Sequence, residues 1–162
     1  MIVKCKEIYN EFTNEYLPFD INGCRIKNYH YNVLEIKFIR KDVYYRVISD
    51  DSGMSDCSII VRASDFEIIV NTIPDNWILN TQFSSLTPEK WINKSFWDSS
   101  FWEDYNEDKP EALKCYREEV KTIISADKEY IQTIIDERSK DDAFKTWRES
   151  MIPLLNEITT EN

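Results

Sequence analysis

The sequence predicts an α+β fold: an antiparallel β-meander of about four or five strands in the N-terminal half, with helices from the C-terminal half packed on one face. Three observations carry this. Short β-branched and aromatic runs crowd residues 24–70, apolar residues recur at helical spacing from 87 to 158, and the links between the strand-like runs are short. Short links favour antiparallel neighbours, and strands followed by helices favour α+β over a parallel sheet.

Taken in order, Cys5, Ile8, Phe12 and Tyr16 recur at helical spacing, so a short amphipathic helix is expected over 4–16. Asn22-Gly23 closes the following connection as a turn. Residues 24–31 are β-rich. In 33–39, Leu34, Ile36 and Phe38 alternate with Glu35 and Lys37, the pattern of a half-buried strand. Arg40-Lys41-Asp42 forms a polar turn, and 43–48 returns with Val43, Tyr45 and Val47 on one face. A turn-rich loop over 49–56 leads to two more short runs, 58–62 and 66–70.

After Pro74 the pattern changes. Thr87-Pro88-Glu89 has the residue types of a helix start, with a hydroxyl cap, a proline in the first turn and an early acid. Ser100 and Glu103 stand at capping-box spacing. Pro110 opens a stripe of Leu113, Tyr116, Val120, Ile123/Ile124, Tyr130/Ile131 and Ile134/Ile135, interrupted at Asp127, so that one long helix or two are both compatible with it. Ser139 to Asp142 looks like a further cap. Phe144, Trp147, Met151, Leu154/Leu155 and Ile158 form a last apolar face, with Pro153 expected as a kink or stop. The 162 residues are expected to form a single domain, with a subdomain boundary, if there is one, near 74.

Composition removes several chemistries. Only Gly23 and Gly53 are glycines, too few for a dinucleotide fingerprint, a P-loop or a nucleophile elbow, each of which needs close backbone approach or positive φ. Cys5, Cys24, Cys57 and Cys115 hold no C-x-x-C spacing, and His30 is the one histidine, so no zinc cluster or cofactor is expected. The N-terminus carries no apolar leader pattern and no apolar run reaches spanning length, so a cytoplasmic location with reduced cysteines and no membrane contact is expected.

The net charge of −10 is unevenly placed, at −2 over residues 1–73 and −8 over 74–162. Direct nucleic-acid binding is therefore not expected, because affinity for polyphosphate comes largely from Lys and Arg. Residues 23–48 run the other way. Arg25, Lys27, Lys37, Arg40, Lys41 and Arg46 are interleaved with Tyr29, Tyr31, Tyr44 and Tyr45. Such a mixture can hold single strands, but offsetting the helix acids is the preferred reading.

The densest feature is aromatic. Trp91, Phe96, Trp97, Phe101, Trp102 and Tyr105 fall within fifteen residues, bordered by Asp98, Glu103, Asp104, Glu107, Asp108 and Glu111. Large aromatics belong in cores, yet adjacent pairs on a helix diverge by about 100°, which directs some of them outward. An acidic rim around aromatic anchors suits a basic protein partner, through steering and specificity. Trp97, Trp102, Glu103, Asp104, Glu107 and Asp108 are the expected partner-binding residues.

The profile is that of a bacterial immunity protein, which blocks a toxin, often a nuclease, by covering its basic surface. It is small, acidic and aromatic-rich, and it has no recognisable catalytic motif. An enzyme is the lesser expectation: a metal-dependent hydrolase or nuclease using Asp50, Asp51, Asp56 and Glu67 near the 50–56 loop. That loop misses the EF-hand pattern. A structural or adaptor subunit is the third. His30 is read as a structural residue rather than part of a nucleophilic site.

Overall fold

The structure, a computed structural model, describes residues 1–6, 8–10, 15–17, 29–48, 58–93, 97, 100–138, 140 and 145–160, with 8–10 and 15–17 described by their backbone. The fold is mixed α+β, with an antiparallel sheet in the N-terminal half and helices in the C-terminal half. The 49–56 loop, the Cys24 and Cys57 positions, Arg25, Lys27 and the expected cap at 139–142 lie outside the described residues, apart from the exposed Lys140.

The chain opens as a strand, β1 (Ile2–Cys5), not as the helix expected over 4–16. Ile2, Val3 and Cys5 are all buried, because β1 lies between two partners in the middle of the sheet. A β-branched segment that gains two ladders is held extended whatever its local periodicity. Further along the same stretch β2 (Ile8–Asn10) and β3 (Glu15–Leu17) pair as a separate hairpin, with Tyr9 opposite Tyr16.

The organising strand is β4 (His30–Ile39). One edge pairs along Val33–Ile39 with β5 (Asp42–Ile48). The other edge takes β1 at His30–Asn32 and β9 (Ser85–Pro88) at Ile36–Lys37. A register shift falls between Val33 and Glu35, and every residue of His30–Ile36 is buried, so both faces of this stretch are covered. β6 (Ser58–Arg62) flanks β5, and a 3-10 turn at Ala63–Asp65 sends the chain into β7 (Phe66–Val70), which pairs with β1. β8 (Trp77–Asn80) pairs with β9, so the sheet continues past Pro74.

Helix α1 (Glu89–Ile92) has four residues and follows β9 directly. Thr87 and Pro88 therefore end a strand rather than begin a helix, and no side chain caps α1. The longer helices are α2 (Phe101–Asn106), α3 (Pro110–Ala126), α4 (Lys128–Glu137) and α5 (Lys145–Thr160). Pro110 occupies the first turn of α3, where its missing N–H is harmless. α5 continues through Pro153, which neither stops nor splits it.

Of the expected stripe on α3 and α4, Tyr116, Val120, Ile123, Ile124, Ile131, Ile134 and Ile135 are buried, and Leu113 and Tyr130 are half-buried against the core. The helices reach the sheet face that carries His30, Asn32 and Arg46. Asn32 Nδ2 donates to Met151 Sδ at 3.7 Å, His30 sits edge-on to Tyr130, and Arg46 meets Trp102. On the opposite face Tyr29, Tyr31, Tyr45 and Phe66 form a ring cluster with centroid separations of 5.5–6.4 Å.

Asp127 separates α3 from α4. Its Oδ2 accepts from the Met1 ammonium at 2.6 Å, and both groups are buried. This ion pair ties the start of the central strand to the helix junction, across 126 residues of sequence.

Candidate functional site

The aromatic run folds as a stacked cluster. The Trp91 ring is nearly parallel to Phe101, at 4.7 Å and 7°, and to Tyr116, at 6.1 Å and 9°. Tyr105 closes the stack against Tyr116 at 4.7 Å. Trp91, Phe101, Tyr105 and Tyr116 are all buried. Trp97 and Trp102 are half-buried at its margin. Trp97 is fixed by its Nε1–H, which donates to the Lys90 carbonyl at 3.0 Å, and by an edge contact with Phe101. Trp102 packs edge-on against Trp91, Phe101 and Tyr105, and the Arg46 guanidinium lies 3.7 Å from its ring centroid. Rotation along α2 thus sends Phe101 and Tyr105 inward and leaves Trp102 at the boundary.

Both ends of α2 are built from side chains the sequence singles out. Ser100 is the N-cap: its Oγ accepts from the Glu103 N–H at 3.3 Å and donates to Glu103 Oε2 at 2.9 Å. At the other end the Asp108 N–H donates to the Tyr105 carbonyl and the Lys109 N–H to the Asp104 carbonyl, the paired bonds of a Schellman motif. Asp108 occupies the left-handed position of that motif, at φ 56°, where glycine is usual.

The six expected partner-binding residues fall into two groups. Glu103, Glu107 and Asp108 are exposed, and Trp97 and Trp102 are half-exposed beside them. Asp104 is not on this surface. It is 3% exposed and accepts from Lys109 Nζ at 2.7 Å, so its charge is spent inside the fold. Lys109 also stands 3.4 Å from Glu107, neutralising part of the rim. Sequence spacing gives no sign of this clamp, because residues five apart on an ideal helix do not face each other. The Schellman turn brings them together. Arg46 is likewise visible as a neighbour of Trp102 only once the sheet has formed.

A second polar constellation fastens α1 to α3. Glu119 is buried. It accepts from Asn76 Nδ2 at 2.6 Å and pairs with Lys90 Nζ at 3.2 Å. Cys115 lies beside it. Burial, and then the nearby Glu119 carboxylate, push its thiol up to about 11, so it stays protonated and is a poor nucleophile. His30 is held at about 4 by burial, then by Arg138 and Lys4, so it is neutral near pH 7. Glu67 is exposed on β7. Among the described residues no three His, Cys, Asp or Glu side chains converge as metal ligands. Among them, no helix is long and apolar enough to cross a membrane.

Glu103 on α2 and Glu107 and Asp108 in the turn that ends it thus present three exposed carboxylates, with Trp97 and Trp102 half-exposed. No protein-family model, curated protein or solved structure matches this chain.

Proposed function

We propose that this chain is an acidic protein-binding module of the bacterial immunity type, which neutralises a basic toxin by occluding the surface the toxin uses. The observation that carries the reading is the mounting of Glu103, Glu107 and Asp108. Glu103 projects from α2, and Glu107 and Asp108 from the Schellman turn that ends it, while the inner side of α2 packs into the Trp91–Phe101–Tyr105–Tyr116 cluster. A charged surface held this way loses little freedom on binding, and its field steers a cationic partner toward it. The excess of acid after residue 74 acts in the same direction. Trp97 and Trp102 supply apolar contact at the rim, the residue type that most often anchors interfaces.

A nuclease is the toxin class that fits best, because its phosphate-binding Lys and Arg side chains are the natural counterpart of this rim. The test is co-expression with the product of the reading frame that adjoins this chain's own. Cells making that product should grow when the wild-type chain is present and fail with the Glu103→Lys/Glu107→Lys/Asp108→Lys variant. A non-toxic product, or full protection by the variant, would overturn the reading.

A further inference from the structure

A second surface, independent of α2, lies where two hairpin ends meet. Phe38 pairs with Val43, Ile36 with both Tyr45 and Leu86, and Leu86 with Leu79. Paired residues and their i+2 neighbours share a sheet face, so Val43, Phe38, Leu86 and Leu79 lie on one face. It is the face of the Tyr31–Tyr45–Phe66 cluster, at its uncovered end. Leu79 is 61% exposed and Phe38 43% exposed. The exposed Phe83 sits in the β8–β9 turn, next to Ser84, whose carbonyl accepts from the Phe38 N–H at 2.7 Å. Contiguous apolar exposure of this kind marks an interaction site more often than scattered single residues do.

The rim of the patch is cationic. In the β4–β5 hairpin Arg46 is already paired with Glu35. Lys37, paired with Tyr44, faces the other side of the sheet. That leaves Arg40 and Lys41 in the hairpin turn beside Asp42, and neither cation forms an ion pair among the described residues. Arg40 sits at φ 56° in a two-residue hairpin turn, and Ser84 at φ 48° in the turn beside it. Glycine is the favoured residue in such positions. A bulky cation kept in a strained turn beside exposed apolar side chains points to use of its charge. Among the described residues β8 pairs with β9 alone, and an added strand could pair with its other edge.

We propose that this end of the sheet docks an extended segment of a partner protein in which apolar side chains are flanked by carboxylates. Charge complementarity selects that occupant. Two cations on a chain of net charge −10 are too few for a polyphosphate, and the same net charge repels an anionic bilayer. A second copy meeting face to face would bring like cations together.

The test is a phage-displayed peptide selection on the full chain. Enriched peptides should carry Asp or Glu beside Leu, Phe or Trp and should weaken at high salt. Leu79→Ser should lower their affinity by about tenfold. Arg40→Gly should also weaken binding while raising the melting temperature, which separates loss of the charge from loss of the fold. Glu107→Lys/Asp108→Lys should leave this binding intact. No enrichment, enrichment of basic peptides, or equal binding to Leu79→Ser and Arg40→Gly would overturn the proposal. Leu79-dependent binding to phosphatidylserine vesicles, or a Leu79-dependent dimer in sedimentation, would overturn it in favour of a lipid or a self-interface.

Discussion

The guanidinium of Arg46 lies 3.7 Å from the centroid of the Trp102 ring while its Nε donates to Glu35 Oε2 at 3.0 Å. One side chain on β5 thus neutralises a buried carboxylate of the sheet and covers an indole of α2. Arg46→Ala should cost about 3–5 kcal/mol, because it strands the Glu35 charge in the interior and removes a desolvated cation–π contact. Arg46→Ala combined with Glu35→Gln should recover part of that loss. Urea unfolding of the two variants checks this. Equal stability of the single variant and wild type would mean that the pair does not bear on the fold.

The Met1–Asp127 ion pair gives a second expectation. Asp127→Asn leaves a buried ammonium without its counter-charge, so stability should fall by about 3 kcal/mol. The urea midpoint should drop with an unchanged slope, as for a loss of stability without a change in the surface exposed on unfolding.

His30 predicts a pH dependence. Its folded-state value of about 4 lies below the ordinary 6.5, owing first to burial and then to Arg138 and Lys4. Between these two values the unfolded chain binds a proton that the folded chain refuses, so acidification favours unfolding. The stability that neutral His30 contributes is complete above pH 6.5 and is lost as pH falls toward 4. Carboxylates titrate at the lower end of that window, so the comparison is with His30→Gln. The difference between the two proteins should shrink steadily over the window as wild type loses stability faster. Parallel curves would contradict the assignment.

Asp108 separates stability from binding. Asp108→Gly relieves a left-handed conformation in a Schellman position and should stabilise the fold by about 0.5–1 kcal/mol. It also removes a carboxylate from the rim, so the same variant should bind a basic partner more weakly. Thermal melting and a binding assay on one preparation check both signs.

What could be read from the sequence was what local chemistry decides. The Ser100 cap, the Pro110 start and the α3–α4 stripe follow from spacing within one turn, and each stands where its residues indicate. The alternation in 33–39 and 43–48 gave the central hairpin for the same reason. Non-local pairing was out of reach. β1 reads as part of a helical stripe until β4 and β7 flank it, and β8 and β9 are four-residue strands whose Thr87-Pro88 imitates a cap. The partner of the Asp127 carboxylate at the break is an ammonium 126 residues away. In the candidate site, Glu103, Glu107 and Asp108 are exposed. The inward turn of Asp104 depends on how the chain bends after α2 to bring Lys109 against it.

The most direct test of the α2 surface is retention of a basic partner from source lysate on the immobilised chain, at low and at high salt, with wild type and Glu107→Lys/Asp108→Lys side by side. Wild type should retain a cationic protein at low salt and release much of it at high salt, since exposed charges are screened there, and the variant should retain little at either. Retention by the variant equal to that of wild type would contradict the account.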